Sequence, residues 1–254
     1  MINDAADNAF AAFAEGFAGG TPQLVSRELV ADTQTPVSAY LRLAAGSRNT
    51  FLLESVEGGE IRGRFSVIGL SPDLIWRCRG SVAEINRDPA NSGEFSADSR
   101  APIDSLRALM AESAMADTEN LPPMSAGLFG YFGYDMIRHI EAIPDANPAV
   151  IDTPDSMLVR PSLIAIFDRL KDSITFVVQV RPAEWDEPQA AWSHAQDRIA
   201  AALDALDAPM PPTEAGESTA PLPDPRSNME QRDFLAMVDA AKDYIRAGDI
   251  FQVV

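Results

Sequence analysis

The residues with the clearest potential for chemistry lie within residues 51–72. Glu54 and Ser55 end the first of two apolar runs in this stretch, and Arg64 directly precedes the second. A carboxylate and a hydroxyl at one strand end could hold a small zwitterion, with the carboxylate facing its ammonium group. Adjacent strand residues point to opposite faces, so a twist or bulge would be needed to bring both groups to one rim. The alternative is a cross-strand ion pair between Glu54 and Arg64, worth about 0.2–1 kcal/mol.

The elements that would position these groups form an antiparallel sheet. The apolar runs 51–53 and 65–68 flank residues 57–60, Glu-Gly-Gly-Glu, which predict a hairpin turn. Residues 74–79 alternate apolar and basic side chains, and residues 81–86 follow a glycine turn as a further strand. We therefore expect a meander of about four strands.

The other reactive side chains predict no catalytic centre. Cys78 shares one apolar strand face with Leu74 and Trp76, which favours a buried thiol over a nucleophile. His139 stands without a second histidine nearby, so a surface or helix-end position is expected for it. His194 lies among Ala, Ser and Gln on a later helix, and no catalytic role is expected for it. The sequence has no CxxC pair and no histidine-rich spacing of the kind that binds metal.

A run of evenly spaced glycines forms the second informative stretch. Gly127, Gly130 and Gly133 recur among Leu, Phe and Tyr residues, but they do not form GxGxxG, and no P-loop Lys-Ser/Thr follows. Glycine within a strand usually marks a close backbone approach. We expect a buried strand here, running into a short helix over residues 134–141.

Helical periodicity and capping residues predict the surrounding elements. Residues 158–168 and 174–180 form a hairpin whose strands are apolar on both faces, so we expect both to be buried. The predicted helices are one over 4–18 with Phe10, Phe13 and Phe17 on one face, one opened by Thr35 and Pro36, one from Pro102 with Ile103, Leu106 and Met110 on its inner face, and one from Pro188.

The chain divides by composition into four segments. Residues 1–20 form a helical extension, residues 21–206 an α+β domain of largely antiparallel strands with helices, and residues 207–227 a proline-rich linker. Residues 228–254 begin a further domain, with a capping box of Asn228 and Gln231 and the start of a strand at residues 249–254. We expect that domain to continue beyond Val254.

Charge and cysteine content restrict the class of protein. The 254 residues include 38 acidic and 20 basic ones, a formal charge of −18, which disfavours nucleic acid and acidic membrane surfaces as partners. The single cysteine cannot form an internal disulfide, and the amino terminus lacks the basic region of a signal peptide. These features predict a soluble cytoplasmic protein.

Five segments in order carry a resemblance to a known family. They are LLES at 52–55, GRFSVIGLSPDLIWRCRG at 63–80, GLFGYFGYDMIRHIE at 127–141, LVRPSLIAIFD at 158–168 and FLAMVDAAKDYIRAGDIFQVV at 234–254. Together they resemble the amino-terminal half of anthranilate synthase component I. The resemblance implies two facing sheets with outer helices.

The same resemblance implies an activity and partners. The family's large subunit is a lyase that converts chorismate to anthranilate in tryptophan biosynthesis, with ammonia from a glutamine amidotransferase subunit, in a heterotetramer. Its magnesium-dependent catalytic domain is carboxy-terminal. The resemblance therefore implies that the catalytic and Mg²⁺-binding residues lie beyond Val254 and that the fragment alone is inactive.

For the opening stretch, the resemblance implies a feedback site for L-tryptophan. The LLES run is similar to the part of the family that binds the inhibitor, so Ser55 and Glu54 are the expected contacts, with Leu53 as an apolar wall and Arg64 as a neighbour. Two alternatives stay open: the related large subunit of aminodeoxychorismate synthase, and a free-standing regulatory module that binds an amino acid.

Overall fold

The chain forms a largely antiparallel sheet flanked by helices, followed by a separate helical unit, which confirms the predicted α+β class. The structure is a computed structural model and describes residues 2–54, 63–116, 118–145, 151–212 and 224–253. Contacts divide the chain into two units, Met1–Pro212 and Thr213–Val254. The four-segment division predicted from composition stays a prediction.

The described residues contain eight strands and five α-helices, most of them where periodicity predicts them. The strands are β1 (Gln23–Val30), β2 (Phe51–Leu53), β3 (Phe65–Arg79), β4 (Val82–Asn86), β5 (Ser96–Ala97), β6 (Phe129–Phe132), β7 (Ser156–Asp168) and β8 (Ser173–Val180). The helices are α1 (Ile2–Ala18), α2 (Pro36–Leu43), α3 (Pro102–Glu112), α4 (Pro188–Asp207) and α5 (Gln231–Ala247), with 3₁₀ helices at Tyr134–His139 and Pro182–Glu184.

All eight strands join one antiparallel, curled sheet that is organised by its two longest members. The strand order is β1-β8-β7-β3-β4-β5, and in addition β2 pairs with β3 and β6 pairs with β7. One half of the sheet therefore runs β1-β8-β7-β3-β2 and the other runs β5-β4-β3-β7-β6. The resemblance implies two facing sheets. In the structure there is one sheet, and its two halves share β3 and β7.

β3 is one continuous strand, whereas the sequence predicted separate strands at 65–68 and 74–79. Its pairing with β7 shifts register between Pro72 and Leu74, and Ser71 adopts a positive φ of 47°. A bulge of this kind bends a strand without ending its pairing. The predicted meander of about four strands is therefore wrong, because its two middle strands are the single strand β3, with which β2 and β4 both pair. The expected turn at 57–60 lies outside the described residues.

Three apolar clusters hold these elements together. The largest packs α1, α2 and α4 against one face of the β1 half-sheet, through Phe13, Ala39, Ile199 and Phe176. A second cluster lies on the opposite face, where Val67, Ile164 and Val177 meet Phe51 and Phe129, whose rings stack with centroids 4.9 Å apart. The third joins β3 to α3 through Trp76 and Leu109. As predicted, both strands of the β7–β8 hairpin are largely buried.

Two details of the α3 and β6 region differ from the sequence prediction. The buried residues of α3 are Pro102, Ser105 and Leu109, so the inner face of the helix passes through position 109, whereas Met110 is 59% exposed. Strand β6 is not buried as expected, since Tyr131 and Phe132 are exposed at the edge of the sheet. The predicted close approach at Gly130 is confirmed: a Cβ there would lie 1.9 Å from the Met157 carbonyl oxygen.

The second unit contains α5, which ends as predicted at Gly248 in the left-handed conformation. Its N-cap is Glu230 without a side-chain hydrogen bond, so the capping box of Asn228 and Gln231 is wrong. Residues 249–253 form no strand, in contrast to the prediction. Over the described part of the chain, no helix has both the length and the apolar character needed to cross a membrane.

Candidate functional site

The end of β2 presents Leu53 and Glu54 on different sides of the sheet. Leu53 pairs with Val67 of β3, and its side chain is 48% exposed. Glu54 follows directly and lines a cavity of about 300 Å³ with Thr35 and Pro36 at the start of α2. This arrangement follows the ordinary alternation of a strand. Ser55, the third predicted contact, lies outside the described residues.

Among the described residues, Glu54 has one ion-pair partner, Arg169, and the contact between them is long. Arg169 Nη2 lies 3.4 Å from Glu54 Oε1, and the two side chains are 43% and 28% exposed. An exposed pair of this kind contributes about 0–1 kcal/mol. The carboxylate of Glu54 therefore stays available to a second cation.

Arg64 is held by a different carboxylate from the one considered in the sequence. Its Nε and Nη2 donate to Asp168 Oδ1 and Oδ2 at 2.8 and 2.6 Å, and its guanidinium lies 4.8 Å from the centre of the Phe65 ring. The cross-strand pair of Arg64 with Glu54 is therefore wrong. Both groups of the actual pair prefer their charged forms: the hydrogen bonds from Arg64 lower the pKa of Asp168, and those to Asp168 raise the pKa of Arg64.

The turn between β7 and β8 donates two backbone hydrogen bonds beside Arg64 and Asp168. The Arg169 N–H donates to the Arg64 carbonyl oxygen at 3.0 Å, and Asp168 Oδ1 also accepts from the Leu170 N–H at 3.0 Å. Sequence reasoning named the turn but assigned it no role at the site. Asp168 ends β7 and Arg169 follows it. Only the register of β7 against β3 places these two residues beside Glu54.

Cys78 and His139 occupy structural positions, as the sequence predicted. Cys78 is fully buried, and its Sγ donates to the Gly80 carbonyl oxygen at 3.3 Å and lies 3.5 Å from His139 Nε2. Burial, with a smaller contribution from nearby Asp155, raises the pKa of this thiol to about 11. A neutral thiol is a poor nucleophile. His139 lies at the end of a 3₁₀ helix.

The magnesium site implied by the resemblance has no counterpart in the part of the chain that the structure describes. No group of three or more His, Cys, Asp or Glu residues there is arranged to hold a metal ion. Glu54 does not provide one, because its nearest charged partner is an arginine. The described residues therefore do not fit Mg²⁺.

Comparison with known proteins shows that the sequence of this chain is similar to one family. A sequence profile described as chorismate binding enzyme matches residues 80–254. Anthranilate synthase component 1 of Cereibacter sphaeroides is 45% identical over 246 residues, which cover 96% of this chain and 49% of that protein. The protein of the same name from Thermus thermophilus is 34% identical, over 90% of this chain and 45% of its own length.

A solved structure shows the same fold. Anthranilate synthase component I from Streptococcus pneumoniae superposes with a TM-score of 0.57 and 25% sequence identity, and the match covers 87% of this chain and 46% of that one. The chain thus spans about half the length of the relatives that it matches.

Proposed function

Because the chain belongs to the family of chorismate-binding enzymes, we propose that it forms part of the large subunit of an anthranilate synthase. The proposed reaction converts chorismate and ammonia to anthranilate and pyruvate in tryptophan biosynthesis. Support comes from relatives named anthranilate synthase component 1 that match nearly the whole chain. The chain spans about half of their length, so the proposal assigns the catalytic and Mg²⁺-binding residues to segments outside these 254 residues.

The proposed assembly follows from the same reaction. Ammonia would come from a glutamine amidotransferase subunit, in a cytoplasmic heterotetramer. The single cysteine accords with a reducing compartment.

We also propose a regulatory role for Glu54 and Ser55, which is to bind L-tryptophan as a feedback inhibitor. The observation that carries this assignment is the loosely held carboxylate of Glu54, which lines a cavity and has one charged contact, at 3.4 Å, among the described residues. The α-ammonium of tryptophan is a compact cation with three donors, which a carboxylate of this kind can accept. Ser55 would bind the polar end of the amino acid.

Leu53 and Arg64 have secondary roles in this proposal. Leu53 is half exposed at the end of β2 and supplies apolar surface. Arg64 is already bound through two hydrogen bonds to Asp168, so it supports the strand ends that carry Glu54 instead of binding the inhibitor directly. Tryptophan would then favour an arrangement of the protein that binds chorismate less well, with a coupling of about 1–3 kcal/mol.

The test uses the complete enzyme and compares Glu54→Gln and Ser55→Ala with the control Glu94→Gln, whose carboxylate lies in the exposed loop before β5. Anthranilate formation is followed by fluorescence over a range of tryptophan concentrations. Inhibition in each variant is expressed relative to that variant's own rate without tryptophan. We expect both site variants to need at least about tenfold more tryptophan, which corresponds to 1.4 kcal/mol, and the control to match the unmodified enzyme.

Two outcomes would separate the parts of the proposal. Unchanged inhibition in both site variants would reject the regulatory site but leave the reaction intact. Formation of aminodeoxychorismate in place of anthranilate would reject the reaction itself. The 254-residue chain alone is expected to form no anthranilate from chorismate, ammonia and Mg²⁺.

A further inference from the structure

A cluster of arginines surrounds Asp73, at the bulge of β3. Arg160 Nε donates to Asp73 Oδ1 at 2.6 Å, and Arg181 Nη1 donates to Asp73 Oδ2 at 3.1 Å. Both arginines are buried, with 4% and 8% of their surface exposed. Arg160 Nη1 also reaches Glu112 Oε1 at 3.2 Å. Two carboxylates thus accept hydrogen bonds from two buried guanidinium groups.

Two further arginines, Arg87 and Arg198, line a cavity beside Asp73. Arg87 forms two hydrogen bonds with Glu112, at 2.7 and 2.8 Å, so this carboxylate is already shared. Arg198 on α4 has no carboxylate within ion-pair distance among the described residues, and its Nη1 donates to Ser162 Oγ at 2.8 Å. The buried Nε of Arg181 likewise has no hydrogen-bond partner in the described part of the chain. Buried cationic groups are costly unless an anion or acceptor compensates them.

The cluster borders a cavity of about 420 Å³. Its lining includes Asp73, Ser162 and Arg198 together with residues 87–90. Asp88 also lines the cavity, but its Oδ1 accepts from Asn91 Nδ2 at 2.8 Å. The volume falls within the range of about 300–1,000 Å³ that small-molecule sites occupy. The cavity shares no lining residue with the cavity beside Glu54.

We propose that this cavity binds a small oxyanion, with phosphate or carboxylate chemistry, and that Arg198 is its principal cationic contact. One N–H of Arg198 donates to Ser162, so the remaining N–H groups can donate to a bound oxyanion. Ser71 also lines the cavity, and a serine hydroxyl can supply a neutral donor. The guanidinium fork suits oxygen pairs on phosphate and carboxylate alike.

His194 provides a direct readout, because it lines the same cavity. Burial, followed by the positive charge of Arg198, lowers the pKa of His194, and Asp197 acts in the opposite direction. The other charged groups facing the cavity are Asp73, Arg87 and Asp88. An anion bound beside Arg198 favours the protonated imidazole and therefore raises the pKa of His194.

The experiment follows both histidines of the purified chain by NMR across a pH titration. Inorganic phosphate, succinate and chloride are added separately at matched ionic strength. We expect phosphate or succinate to raise the pKa of His194 by about 1 unit while His139, which contacts Cys78 elsewhere, keeps its value. The larger of the two responses identifies the ligand chemistry. An equal response to chloride would overturn the proposal, because it would show general screening.

Variants provide an independent test. Arg198→Gln is expected to abolish the response of His194 to the oxyanion. The matched control Arg107→Gln, an exposed arginine of α3 that pairs with Asp104, is expected to retain it. A full response in Arg198→Gln would overturn the proposal. If Arg198→Gln does not fold, the anion series on the unmodified chain decides, since chloride and oxyanion must then differ at His194 alone.

Discussion

Replacing Arg169 by glutamine tests whether the pair with Glu54 competes with the inhibitor. In the structure, Arg169 Nη2 lies 3.4 Å from Glu54 Oε1, and both side chains are partly exposed to solvent. The substitution removes this positive charge but leaves the backbone N–H that donates to the Arg64 carbonyl oxygen. The strand ends should therefore keep their positions, while the carboxylate of Glu54 loses its resident partner.

The size of the effect follows from the exposure of the pair. An exposed ion pair is worth about 0.2–1 kcal/mol, and 1.4 kcal/mol corresponds to a tenfold change in affinity. If the ammonium group of tryptophan must displace Arg169, the variant should need about 1.4–5-fold less tryptophan for half-inhibition. The gain should shrink at high salt, because salt screens the competing pair in the unmodified enzyme.

The assay is the tryptophan titration of anthranilate formation in the complete enzyme, at low and at high ionic strength. Arg107→Gln is the control, since it removes an exposed ion pair of similar kind on α3. In a Glu54→Gln background, Arg169→Gln should have no further effect, because the two residues act through one contact. Weaker inhibition in Arg169→Gln would refute the competition and indicate that the arginine binds the inhibitor.

Three further predictions concern stability and reactivity. Gly130→Ala should destabilise the protein by about 1–3 kcal/mol in urea, since the new Cβ would meet the β7 backbone; Gly93→Ala, in open space, should stay within about 0.5 kcal/mol. Cys78, whose buried thiol has a pKa raised to about 11, should resist iodoacetamide at pH 8 until urea unfolds the chain; rapid native labelling would contradict its burial. Arg64 lowers the pKa of Asp168, so this pair stabilises the fold above about pH 4 and is lost as pH falls through the lowered value. Asp168→Asn should therefore flatten the fall of the urea midpoint below pH 4, and an unchanged slope would exclude the pair as its cause.

Local signals in the sequence determined most of the secondary structure. Thr35 and Pro36 open α2 as predicted, and the Thr35 hydroxyl accepts from the Ser38 N–H at 3.1 Å. The alternation of Leu74, Trp76 and Cys78 correctly predicted one buried face of β3. These features depend on hydrogen bonds and side-chain directions within a few residues, so they can be read without the fold.

Through its resemblance to a family, the sequence also predicted a site at the end of β2 and the start of β3. It could not decide which charges meet there. Arg64 bonds Asp168, 104 positions away, and Glu54 meets Arg169, 115 positions away. These partners are chosen by the register of β7 against β3, which is a long-range property of the sheet.

The arginines around Asp73 show the same limit most clearly. Arg87, Arg160, Arg181 and Arg198 are scattered over four separate elements or loops, and no local pattern groups them. Only the fold brings Arg160 and Arg181 to Asp73 at the bulge of β3. It likewise places Arg87 and Arg198 at one cavity. The sequence by itself determined most of the elements and the family, whereas the tertiary structure decided which charges are paired, because pairing depends on distances that only folding sets.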